Sequence, residues 1–135
     1  MRVLGAVVLL PSFLSGCGDG EQVEEVRWLA SRVIDNGQAV RIVTANSSGA
    51  RPEEVRVRMD EAEVGLALRL RVPEVRVLDL RPHCAEVNLS QPVGERRVVD
   101  DGSSPFNPFG ASVETAERLL AEGELRCVRV PAVSE

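Results

Sequence analysis

Residues Val64 to Val72, VGLALRLRV, constrain the fold more than any other stretch of the chain. Val64, Leu66, Leu68, Leu70 and Val72 alternate with Gly65, Ala67, Arg69 and Arg71. A two-residue period sends successive side chains to opposite faces of a strand. One face is wholly apolar and the other is small or charged, which predicts a half-buried antiparallel strand. Just upstream, Val55, Val57 and Met59 alternate with Arg56 and Arg58. A four-residue turn over Asp60 to Glu63 closes the two into a hairpin. It sets Met59 opposite Val64, Val57 opposite Leu66 and Val55 opposite Leu68. Glu54 then faces Arg69 on the outer side, a weakly favourable pairing at an exposed site.

The rest of the chain adds short strands. Pro73 interrupts, and Val75 to Leu80 reads as a strand. Glu86 to Leu89 and Arg97 to Val99 read as short strands around a Pro92–Gly94 turn. Upstream, Val23, Val26, Ala30 and Val33 recur at helical spacing, and a helix there would end on Gly37. The competing reading takes Asn36-Gly37 as a hairpin turn joining Arg27–Ile34 to Ala39–Ala45, and the turn chemistry favours it. Ser112 to Glu122 predicts a helix with Ser112 as N-cap, Glu114 and Glu117 in the first turns and Gly123 as terminator. Val113, Ala116 and Leu120 line one face of it. Leu125 to Val130 is a last strand, stopped by Pro131. The expected fold is mainly β (β-rich α+β), an antiparallel sheet folded into a sandwich-like layer pair with one short C-terminal helix. It forms a single domain over residues 23–131, with 132–135 a frayed tail.

The chain opens MRVLGAVVLLPSFLSGC. Arg2 gives a positive start, and the apolar run to Leu14 is too short to cross a bilayer as a helix, which needs about 20 apolar residues. Leu14, Ser15 and Gly16 before Cys17 resemble the lipobox of bacterial lipoproteins. That resemblance implies a diacylglyceryl group on the Cys17 thiol and cleavage just before it. Residues 1–16 are then a signal peptide, and 17–22 the lipidated N-terminus and a tether. Two acyl chains suffice for stable anchoring where one is marginal.

Of the three cysteines, Cys84 and Cys127 remain. In an exported chain such a pair reads first as a disulfide. Closing that loop would stabilise the fold by roughly 4 kcal/mol in the chain-entropy model. Free thiols, a metal site (which would want more ligands), or a nucleophile at Cys84 helped by a base are the other readings. The neighbouring His83 points to the opposite face of an extended chain and does not meet Cys84 directly. The chain carries 21 acidic and 16 basic residues, and every basic one is Arg. A net negative charge argues against nucleic acid as partner.

The pattern Val87, Leu89, Pro92, Gly94, Arg96, Val98, Val99, Asp100 is similar to one in small uncharacterised secreted and lipid-anchored proteins of actinobacteria. The resemblance implies an envelope location and a β-rich fold, and brings no activity with it. No phosphate loop or nucleophile elbow is present in the sequence. With one His and no Tyr, acid–base groups are scarce. Asp100 and Asp101 before Gly102 could bind a cation weakly, or simply end a strand in a polar turn. Phe106 and Phe109, in the proline-stiffened loop Ser104 to Gly110, would either make a binding edge or seal one end of the core. Arg56, Arg58, Arg69 and Arg71, on the outer face of the central hairpin, would either grip anionic headgroups or cell-wall polymer or be merely solvated.

The function expected on these grounds is that of a lipid-anchored extracytoplasmic protein on the outer face of the cell membrane. It would be a non-enzymatic interaction or accessory protein with a cell-envelope protein or polymer as partner. A small ligand-binding lipoprotein using the Phe106–Phe109 loop is the first alternative, and an enzyme of an unrecognised type the second and less favoured one. No metal or other cofactor is implied.

Overall fold

The computed structural model describes residues 21–74, 79–102 and 113–134. Among these described residues nine strands run in chain order: β1 (Glu21–Val26), β2 (Ala30–Ile34), β3 (Ala39–Ser47), β4 (Arg51–Met59), β5 (Glu63–Pro73), β6 (Leu80–Asn88), β7 (Arg97–Asp100), β8 (Cys127–Val130) and β9 (Ala132–Ser134). One helix, α1 (Val113–Glu122), lies between β7 and β8. The protein is mainly β with one short helix near its C-terminus.

The strands form two sheets. Sheet A has the order β1-β5-β4-β9, with β7 also paired to β5. Sheet B has the order β2-β3-β6-β8. The β4–β5 hairpin keeps the register read from its alternation, from Met59↔Val64 to Glu54↔Arg69, with a bulge at Glu53 beyond. Inward residues of the two sheets make one core: Val55, Leu66, Leu68, Leu70 and Val72 from sheet A, and Val40, Ile42, Ala85 and Val87 from sheet B. That face-to-face packing is a sandwich.

The sheets are mixed, and the expectation of an antiparallel sheet needs correction. β7 on β5, β8 on β6 and β9 on β4 are parallel pairs. The cause is that the chain changes sheet between short segments. β6 ends in sheet B and β7 joins sheet A, so the strands flanking the Pro92–Gly94 turn do not pair with each other. Pro131 carries the chain from β8 in sheet B to β9 in sheet A, its carbonyl accepting the Val55 N–H at 3.1 Å. Residues 132–134, expected to fray, are therefore a strand beside β4. The N-terminal boundary also moves. Glu21 and Gln22, assigned to the tether, pair with Pro73 and Val72 in β1.

The Arg27–Ile34 and Ala39–Ala45 hairpin forms, with its first strand starting only at Ala30, its second running on to Ser47, and Ile34 opposite Ala39. Its turn places Asp35, Asn36 and Gly37 at positive φ, where Asn and Gly are the least strained residues. Gly37 also lies against the chain at Val93, whose N–H it accepts at 2.9 Å; buried Leu89 and Val93 close that end of the core. In α1, Ala116 and Leu120 are buried while Val113 is half exposed, and Gly123 ends it at φ +69°. Of the expected strand Val75 to Leu80, residues 75–78 lie outside the described residues; Leu80 opens β6. Ser112 also lies outside them.

Candidate functional site

The central hairpin's arginines stand on the outer face of sheet A as expected, and each is met by a carboxylate. Arg69 bonds Glu54 at 2.6 Å and lies 3.7 Å from Glu25. Arg56 bonds Glu25 at 3.1 Å. Arg71 forks onto both oxygens of Glu53, the bulged residue, at 2.7 and 3.0 Å. That fork holds the Glu53 carboxyl below its ordinary range. Arg58 forks onto Asp101 at 2.8 and 3.1 Å and also reaches Asp60 and Glu63. The Asp101 and Glu63 bonds raise its pKa and fix it as a cation. Gly65 is what lets this pair lie flat, because a Cβ there would overlap the Asp101 carboxylate. The face is thus a lattice of internally satisfied charge, with Arg56 and Arg69 inside it.

Asp100 and Asp101 are likewise consumed by the fold. β1 and β7 meet end to end along β5, Val26 opposite Leu68 and Asp100 opposite Leu66. At that junction Trp28 turns the chain toward sheet B. Asp100 accepts the Trp28 backbone N–H at 2.9 Å and the Gly102 N–H at 2.8 Å. The Trp28 indole N–H donates to the Leu66 carbonyl at 2.9 Å. Burial raises the Asp100 pKa, and the two N–H bonds oppose that rise. Each carboxylate therefore has a structural partner, and the polar-turn reading of Asp100-Asp101-Gly102 fits this geometry.

Cys84 and Cys127 form a disulfide, joining directly paired residues of β6 and β8. With its sulfur held in that bond Cys84 offers no free thiol, so the readings of free thiols and of a nucleophile at Cys84 fall. The His83 ring meets the Ser47 carbonyl through Nε2 at 2.8 Å. Register shows what surrounds the bridge: Ala30, Val43, Cys84 and Cys127 form one row across all four strands of sheet B. Ala116 and Leu120 of α1 cover that row from outside.

Two residues further along each strand lies the next outward row, Arg32, Arg41, Glu86 and Arg129. Adjacent strands are about 4.8 Å apart, so the row spans about 14 Å. Glu86 accepts Arg41 Nε at 2.9 Å and one Arg129 terminal nitrogen at 3.4 Å. Its side chain is only 10% exposed, against 36% for Arg41 and 74% for Arg129. Arg32 is exposed and has no ion pair among the described residues. Here, unlike on sheet A, arginines outnumber carboxylates. Arg32 stands directly opposite Arg41, a like-charge pairing that costs stability.

A shallow cleft of 310 Å³ lies at the end of the sandwich with the Asp60 turn, between Val57, Arg58, Met59, Ser90, Gln91 and Ser134. Among the described residues no group of three His, Cys, Asp or Glu could hold a metal, and no helix is long and apolar enough to cross a membrane. Cys17, Phe106 and Phe109 lie outside the described residues. The class that fold and site define is a small disulfide-bridged β-sandwich with one charge-compensated face and one arginine-rich row. No family model, curated protein or solved structure matches the chain.

Proposed function

We propose that this chain is a lipid-anchored, extracytoplasmic interaction module without catalytic activity, held on the outer face of the cell membrane through Cys17. The observation that carries the reading is the Cys84–Cys127 disulfide, a bond that persists in oxidising compartments outside the cytoplasm. It stands beside the Leu14-Ser15-Gly16-Cys17 lipobox, which supplies both the export route and the anchor. A non-enzymatic role is supported by where the titratable groups are spent. Asp60, Asp100 and Asp101 cap turns or hold Arg58. The only histidine bonds a backbone carbonyl. The partner in this reading is a protein or polymer of the cell envelope.

Fractionation of cells making the wild-type chain and Cys17→Ser tests it. The wild type should sediment with membranes, resist a high-salt wash and leave only with detergent. The Cys17→Ser chain should lose that membrane association. An identical distribution of the two would overturn the anchor.

A further inference from the structure

We infer that the Arg32–Arg41–Arg129 row on sheet B is a binding site for a phosphate-bearing polymer of the cell envelope, presented away from the lipid surface. Three observations converge on it. First, the arginines of sheet A are neutralised by their own carboxylates, while this row sets three arginines against the single carboxylate of Glu86, which pairs with Arg41 and Arg129 only. Second, Arg32 and Arg41 are direct cross-strand partners, and an anion between them would relieve their repulsion. The guanidinium fork suits phosphate-type oxygens, and Arg binds them at two points where Lys offers one charge. Third, Glu86 stands between Arg41 and Arg129 and orients both, so the row is built rather than merely solvated.

The source of the anion follows from the anchor, and this step rests on the function proposed above. Only Gly18, Asp19 and Gly20 separate Cys17 from β1, so Glu21 lies within about 14 Å of the anchor even at full extension. The end of the sandwich bearing Glu21, the Ser47–Arg51 connection and Pro73 is thus nearest the membrane. Arg41 stands six positions back along β3 from Ser47, about 20 Å from that end, well beyond the screening length of about 8 Å. Laying the outer face of sheet B on the bilayer does not bring the row to the headgroups. The sheet spacing of about 10 Å and a helix layer of about 10 Å would lift β1 out of the tether's reach. In neither of these two orientations do lipid headgroups reach the row, so the reading taken is a polymer chain passing the membrane-distal half of sheet B; with the β1–β2 edge down only Arg32, on edge strand β2, would approach the bilayer.

The experiment measures binding of the full-length, detergent-solubilised protein to fluorescent inorganic polyphosphate as salt is varied. The wild type should bind, with affinity falling steeply with salt as counterions are released. Arg32→Gln and Arg129→Gln should each reduce the salt slope by about one. Arg69→Gln on sheet A should leave it unchanged. Arg32→Gln should also keep or raise the melting temperature, which separates lost binding from lost fold. A second arm offers the same protein phosphatidylglycerol vesicles. No polyphosphate binding, equal loss in Arg69→Gln, or binding to the vesicles alone would each overturn the site. Membrane fractionation reports on the anchor independently, so failure of the row and failure of the anchor are distinguishable.

Discussion

Asp100 ties together the place where the chain leaves sheet A for sheet B, and replacing it tests that role. Asp100→Ala removes the acceptor for two backbone N–H groups, those of Trp28 and Gly102. A bond to a charged acceptor contributes about 1.5–3 kcal/mol, and an orphaned buried donor costs a similar amount. The site is half-buried, so water takes over part of the role, and removing a partly desolvated carboxylate returns some of the loss. The net expectation is a destabilisation of about 2 kcal/mol. For a domain of this size that is a melting shift of about 8 °C. Trp28 is the only tryptophan, so its fluorescence reports on this junction alone. Emission should move to the red as the indole N–H loses its fixed geometry on the Leu66 carbonyl. Asp100→Asn should recover only part of the loss, since its amide presents a donor to one of the two N–H groups. Burial raises the Asp100 pKa, so its contribution is fully present below the unfolded carboxylate pKa of about 3.9. Part of it is lost as pH rises through the folded value, and the figure of about 2 kcal/mol is what remains at neutral pH. The gap to Asp100→Ala should accordingly be widest in acid. An unchanged melting temperature and emission in Asp100→Ala would refute this account of the junction.

Asp60 should behave with the opposite sign. The Ala62 and Glu63 N–H groups depress its pKa, so its contribution is present above the unfolded value and vanishes as pH falls through the folded one; Asp60→Asn should flatten the acid limb of a stability–pH curve. Cys127→Ser opens a loop of sequence separation 43 and should cost about 4 kcal/mol by chain entropy, read as a fall in the urea midpoint with little change under reductant. Gly65→Leu should displace Asp101 from Arg58 and lower the melting temperature, while Ala67→Gly, on the same strand face, should be milder. Leu66→Ala, at a fully buried position, should cost about 3–5 kcal/mol through cavity formation.

What the sequence made legible was local. Alternation alone fixes the β4–β5 register, because a one-residue slip would turn Val64, Leu66 and Leu68 outward. Asn36-Gly37 marks the β2–β3 turn, and Gly123 marks the helix end. The parallel pairs were not legible, since β7, β8 and β9 are short and their partners lie far along the chain. The same holds for the candidate site. Arginines at alternate positions of one hairpin are conspicuous in sequence, yet Glu53, Glu54, Glu25 and Asp101 reach them across strands and neutralise them. The exposed row was hidden because its members lie on four strands. Two signals could have found it. The Asn36-Gly37 hairpin places Arg32 opposite Arg41, and a Cys84–Cys127 bridge between parallel strands places Glu86 beside Arg129, two residues on from each cysteine.

Whether this is an anchored, oxidised extracytoplasmic domain is tested by intact mass spectrometry of the membrane-extracted protein, with and without reductant. The expected chain begins at Cys17, carries a diacylglyceryl group and gains about 2 Da on reduction as one disulfide opens. An unlipidated Cys17 in a chain whose mass does not change with reductant would contradict it.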